Sequence, residues 1–162
     1  MSQITFAPCP VTAPEAQACM AAYFAELSTR FGEVFAPRPV DPDAGAMAPP
    51  RGQFLLARDA AGRIMGCVGL RSVAEGIGPG CGEIKRLWIA PEARGQGLAR
   101  RLMATIEDTA RAMGLTHLRL DTSRHLPEAQ ALYLRDGWQE IPAYNSNPHA
   151  DHWFEKRLVP AG

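Results

Sequence analysis

Residues 83–99 read Glu-Ile-Lys-Arg-Leu-Trp-Ile-Ala-Pro-Glu-Ala-Arg-Gly-Gln-Gly-Leu-Ala. An apolar strand ending at Ile89 runs into a short turn, and Arg94-Gly95-Gln96-Gly97-Leu98-Ala99 then opens an amphipathic helix. The first N–H groups of a helix lack intrahelical partners, and the helix dipole adds partial positive charge there. Glycines just before that end let a ligand approach the main chain, so the segment suits a phosphate or pyrophosphate. Within the strand the large apolar residues fall at Ile84, Leu87 and Ile89, a step of three and then of two. A regular strand keeps a period of two, so the odd step is read either as a bulge parting neighbouring strands beside Glu83–Trp88 or as a twisted strand buried on both faces.

Working outward, Ile4 and Phe6 alternate with polar neighbours as a first strand. Thr12-Ala13-Pro14-Glu15 has capping-box spacing, and Met20, Tyr23, Phe24, Leu27 and Phe31 follow at helical spacing, predicting a helix over 14–31. Residues 36–52 hold five prolines and two glycines and are expected to form a long irregular loop. Phe54–Arg58 and Arg63–Ser72 read as a hairpin about Asp59-Ala60-Ala61-Gly62, and Gly76, Gly78, Gly80 and Gly82 as a flexible link to the strand Glu83–Ile89. After the glycine turn, Leu98, Leu102, Ile106, Ala110 and Met113 form one apolar stripe stopped by Gly114. A strand at His117–Thr122, a helix at Pro127–Asp136 and strands near Trp138–Ile141 and His152–Leu158 complete the order β-α-β-β-β-α-β-α-β-β. That order predicts an α/β (mixed α+β) fold, a mixed sheet with helices on its faces.

The 162 residues suit one domain spanning 1–162. Lys+Arg and Asp+Glu both number 17, so no net charge favours nucleic acid or an anionic membrane. Cys9, Cys19, Cys67 and Cys81 form no Cys-x-x-Cys pair and read as small hydrophobes in a reducing compartment. With no basic–apolar leader and no apolar run of membrane-spanning length, a cytoplasmic protein is expected. His149-Ala150-Asp151-His152 lacks further ligands at recognisable spacing, so no metal is expected. Gly95-x-Gly97 with Asp121 ending the next strand partly fits a dinucleotide-binding unit, but Arg100 stands where that motif needs a third small residue.

Arg94-x-x-Gly97-x-Ala99, entered from Leu87-Trp88-Ile89-Ala90-Pro91-Glu92, resembles the acetyl-CoA signature of the GNAT superfamily of N-acetyltransferases. Ala129-Gln130-Ala131-Leu132-Tyr133, followed by Gly137-Trp138, is similar to that family's later helix, and the element order agrees over nearly the whole chain. Glu83-x-Lys85-Arg86-Leu87 and the tail from Glu140 through Trp153-Phe154-Glu155-Lys156 resemble a branch of small bacterial members.

The resemblance implies a mostly antiparallel sheet whose splayed strand pair takes acetyl-CoA. Backbone around Trp88, Ile89 and Ala90 would pair with the pantetheine arm. Amides of Arg94, Gly95, Gln96, Gly97, Leu98 and Ala99 would hold the pyrophosphate, with Arg94, Arg100 and Arg101 near its charge. Tyr133 would be the general acid for the leaving thiolate, as against a core tyrosine, and Glu83 a general base through water, as against a simple partner of Lys85. Lys85 and Arg86 would receive a substrate carboxylate, and Tyr144, with Asn145 and Asn147, would face the acceptor. Leu126 departs from the asparagine common at its position. The implied activity is direct acetyl transfer to a primary amine of a small molecule in a ternary complex. A non-catalytic acyl-CoA sensor and a protein or peptide acetyltransferase are the alternatives. Dimers are common in the family.

Overall fold

The structure is a computed structural model that describes residues 3–32 and 45–159. Seven strands form one sheet in the order β1-β2-β3-β4-β5-β7-β6. These are β1 (Thr5–Pro8), β2 (Gly52–Arg58), β3 (Ile64–Arg71), β4 (Cys81–Ile89), β5 (His117–Thr122), β6 (Gln139–Ile141) and β7 (His152–Arg157). All neighbours run antiparallel except β4 and β5, which are parallel. Helices α1 (Pro14–Phe31), α2 (Leu98–Ala112) and α3 (Pro127–Arg135) complete the fold.

Side-chain alternation builds two cores. Leu55, Ala57, Val68, Leu70, Ile84, Leu118 and Leu120 point to the face covered by α2 and α3, where they meet Leu98, Leu102, Ile106 and Tyr133. Phe54, Leu56 and Cys67, one residue out of phase, meet Ala16, Cys19 and Met20 of α1 on the opposite face. The expected element order and helices on both faces are observed, and all four cysteines are free and buried.

Two local expectations change. The N-cap of α1 is Ala13, with no side-chain cap, so Thr12 forms no capping box. Pro14 opens the helix and makes the residue before it the cap, which leaves Thr12 one position too early. The glycine-rich link is shorter than expected: Gly76, Gly78 and Gly80 hold φ of 69°, 75° and 72°, and β4 starts at Cys81, so Gly82 lies within the strand. Most of the proline-rich loop expected at 36–52 lies outside the described residues; its last residue, Gly52, opens β2.

The odd step in β4 is a bulge. Cys67 pairs with Trp88 and Gly69 with Lys85, so two steps on β3 oppose three on β4. Arg86 absorbs the extra residue at φ 58°, the only positive φ outside glycine among the described residues. On its other edge β4 pairs with β5 only over Cys81–Glu83 against His117–Arg119. Beyond Glu83 and Arg119 the two parallel strands separate and leave an opening through the sheet.

Candidate active site

The opening is approached from the α2 face by the start of α2. A 3₁₀ turn, Pro91–Ala93, carries the chain from β4 to Gly95 and Gly97, both at φ 76°. Neither glycine has an atom within 4 Å of where a Cβ would stand, so the turn is open on that side. Gly97 caps α2 without any side-chain bond. Between Arg94, whose N–H reaches the Pro91 carbonyl, and Arg101, whose N–H reaches that of Gly97, no main-chain N–H finds an acceptor among the described residues. Six consecutive donors at a dipole's positive end form an anion cradle.

The arginines divide their work. Arg94 donates Nε to the Ile89 carbonyl (2.9 Å) and pairs with Glu26 of α1, so its side chain braces the turn. Arg101 lies over the Phe6 ring at 5.2 Å, turned to a different part of the surface. Arg100 pairs with Asp136 at 2.8 Å yet stays largely exposed beside the cradle. Ala90 donates its N–H to Met65 on β3 (2.8 Å), so antiparallel alternation turns the Ile89 peptide, not those of Trp88 and Ala90, toward the opening. The Ile89 carbonyl is the group Arg94 holds.

Tyr133 is 6% exposed, with its ring against Trp138 (5.8 Å) and Phe154 (5.9 Å). Its hydroxyl has no hydrogen-bond partner among the described residues and is not sealed from solvent. Burial, then the charges of Tyr23 and Asp121, pushes its pKa up. Tyr23 belongs to α1, on the opposite face of the sheet. Burial likewise pushes Tyr23 up to about 12.

On the α1 face the opening widens into a cleft of about 250 Å³ lined by Arg71, Glu75, Glu83, Lys85, Asp121 and the 145–147 loop. Glu83 is 1% exposed and fully engaged. Arg71, its register partner on β3, gives Oε1 two bonds at 2.8 and 2.6 Å. The Tyr144 hydroxyl donates to Oε2 at 2.6 Å, with Asn145 further off at 3.5 Å. Burial and the adjoining Glu83 charge raise the Tyr144 pKa, so its hydroxyl stays protonated as donor.

Lys85, read from sequence as the alternative partner of Glu83, has no partner among the described residues. Arg86, expected beside it, is instead turned by the bulge toward α1, where it bonds the Met20 sulfur (3.2 Å) and lies over Phe24.

Arg71 and Asp121 belong to this site and were missed as site residues. Asn145 and Asn147 donate to the two Asp121 oxygens at 2.7 and 3.1 Å, and Trp153 Nε1 donates to the Asn145 side-chain oxygen Oδ1 at 2.9 Å. Gly76 lets this loop close: a Cβ there would stand 1.8 Å from the Tyr144 carbonyl oxygen. Gly76→Ala is expected to push the 144–147 loop outward and raise the acceptor KM severalfold, read by steady-state kinetics, with coenzyme A affinity unchanged.

At Leu126 the start of α3 is held by other means: Arg30 of α1 bonds the His125 carbonyl and pairs with Glu128. His152 pairs with Glu140, and Asp151 accepts the Arg124 N–H, so the His149–His152 segment is used in local structure.

Comparisons with known proteins identify the family and the fold. The acetyltransferase (GNAT) family profile matches residues 20–138, and the chain belongs to that family. It is 40% identical to the IAA acetyltransferase of Azospirillum brasilense over 98 residues, 60% of this chain and 61% of that protein. The crystal structure of a protein described as an acyl-CoA N-acyltransferase from Klebsiella pneumoniae superposes with a TM-score of 0.78 at 31% identity, covering 97% of this chain and 99% of that one. N-acetylglutamate synthase from Neisseria gonorrhoeae, solved with coenzyme A and N-acetyl-glutamate, shares the fold at TM-score 0.71 and 22% identity, over 98% of this chain and 36% of that one.

Proposed function

We propose that this chain transfers an acetyl group from acetyl-CoA to the amine of a small zwitterionic molecule, by direct attack in a ternary complex. The carrying observation is the opening between β4 and β5, with an anion cradle of unpaired main-chain N–H groups among the described residues on one face and a charged cleft on the other. Gly95–Arg100 amides hold the donor's pyrophosphate, with Arg100 alongside, and the Ile89 N–H meets its pantetheine arm. The donor supplies an activated thioester, which the opening directs toward the α1 face.

Tyr133 supplies the proton for the departing sulfur. Because its pKa is raised, phenolate does not accumulate, so Tyr133 works as a relay that replaces its lost proton from the reacting nitrogen. The acceptor class follows from the cleft. Its 250 Å³ falls below the ~300–1,000 Å³ of ordinary ligand pockets, which favours a small molecule over a peptide. Lys85 is a cation without a partner among the described residues, suited to a substrate carboxylate, and Asp121 stands in the same cleft for the ammonium. Glu83 orients Tyr144 over the acceptor.

The test is thiol release from acetyl-CoA with a panel of amino acids, polyamines, aminoglycosides and lysine peptides. Turnover with amino acids is expected. Turnover with peptides alone would overturn the acceptor class, and coenzyme A binding without turnover by any amine would favour a sensor. Gly97→Val should weaken coenzyme A binding at least tenfold by calorimetry, because a β-branched residue is strained at φ 76° and fills the cradle.

A further inference from the structure

Two carboxylates face the acceptor cleft, and their surroundings differ. Each Glu83 oxygen has two donors, two of the four contacts coming from the Arg71 guanidinium. Each Asp121 oxygen has one, from a neutral amide. A carboxylate oxygen offers two lone pairs, so Asp121 keeps capacity that Glu83 has spent.

Position separates them further. Glu83 is opposite Arg119 at the last paired step of β4 and β5. Two residues on, the same parallel register sets Lys85 and Asp121 opposite each other across the opening. Both are out of phase with the buried Leu118, Leu120 and Ile84, so both face the α1 side. No ion pair joins them, because the strands have already parted. Asp121 also raises the pKa of Tyr23, Tyr133 and Tyr144 by its charge, which puts it within electrostatic reach of the hydroxyl nearest the departing sulfur.

Resting on the acetyl-transfer reading, we propose that Asp121, and not Glu83, receives the acceptor's ammonium and takes the proton that frees its lone pair. An amine is a nucleophile only when neutral, and at pH 7 an amino group of ordinary pKa is almost wholly protonated. Asp121 accepts one proton from the ammonium and later returns it to solvent through the cleft. The nitrogen–carbon bond then forms and the carbon–sulfur bond breaks. The nitrogen's second proton replaces the one Tyr133 gives to sulfur. The products are the amide, the free thiol and one proton, so charge and atoms balance. Glu83, held by Arg71, is a positioning residue for Tyr144.

The test is the pH dependence of kcat/KM for Asp121→Asn and Glu83→Gln beside the wild-type protein, using an α-amino acid and its ω-amino analogue as acceptors of different amino pKa. Asp121→Asn should lose about 10²-fold or more in kcat/KM at pH 7. Its rate should climb with pH up to each acceptor's own amino pKa, because only the amine already neutral in solution reacts. Wild type and Glu83→Gln should keep an acid limb that does not move between acceptors. Unchanged coenzyme A affinity by calorimetry shows that Asp121→Asn is folded. If Asp121→Asn keeps the wild-type profile, or if Glu83→Gln is the variant whose limb follows the acceptor, the assignment is overturned. Absence of turnover by the wild type with every amine would instead overturn the acetyl-transfer reading, and the proton role with it.

Discussion

Tyr133→Phe is expected to lower kcat by about 10²-fold or more, with coenzyme A affinity within twofold of wild type. The substitution removes one oxygen and keeps the ring that packs on Trp138 and Phe154. The lost hydroxyl bonds to nothing among the described residues, so no partner is orphaned and the fold should not weaken. A purely structural tyrosine would tolerate this change with full turnover, and stopped-flow measurement of thiol release separates the two roles. The pH dependence follows from the raised pKa. Tyr133 stays neutral in the folded chain at pH values where an unfolded phenol, pKa about 10, ionises. Its contribution to stability is therefore full below pH 10 and is lost as pH rises beyond it toward the folded value. Denaturant midpoints should fall above pH 10 in the wild type and fall less steeply in Tyr133→Phe.

Elements whose signals are local were legible in the sequence. The glycine turn and the helix after it were readable because glycines at 95 and 97 and the apolar stripe from Leu98 lie within one short segment. The bulge left a trace too, since an extra residue in β4 shifts the apolar phase between Ile84 and Leu87, but only the structure excluded a regular twisted strand. Thr12 misled because capping-box spacing is common and Pro14 decides where the helix begins.

Partners across strands were not readable. Glu83 had Lys85 two residues away and Arg71 twelve residues away, and spacing favoured the near one. Register brought the far one: β3 is antiparallel to β4, and Arg71 pairs directly with Glu83. The bulge then sends Arg86 to α1, which no period of two foresees. In the sequence Asp121 stands out only as the residue that ends the next strand in a partial dinucleotide-binding pattern. Its place in the cleft depends on where β5 leaves β4 and on a loop from residue 145 onward that folds back over it. A polar residue on the solvent side of the strand, such as an aspartate alternating with Leu118 and Leu120, looks the same in sequence whether it faces water or a substrate.

Arg71→Leu is expected to cost about 3–5 kcal/mol of stability, because it leaves Glu83 buried without a cation. A loss of that size should lower Tm by roughly 10 °C in a domain this large, and urea denaturation gives the free energy directly. Lys85→Leu, by contrast, should leave stability within about 0.5 kcal/mol, since the lysine has no partner among the described residues. Its effect should fall on the acceptor KM. The pair of results separates the cross-strand partner seen in the structure from the near partner favoured by sequence, under which Lys85→Leu would be the costly change. The double variant Arg71→Leu, Glu83→Leu closes the cycle. Once both charges are gone, an apolar pair can fill the space, and most of the lost stability should return. The Tyr144 hydroxyl then loses its acceptor, which costs about 1 kcal/mol and loosens the loop over the cleft. The double variant should therefore regain its Tm without regaining its acceptor KM, because Glu83 positions Tyr144 through a bond that leucine cannot make.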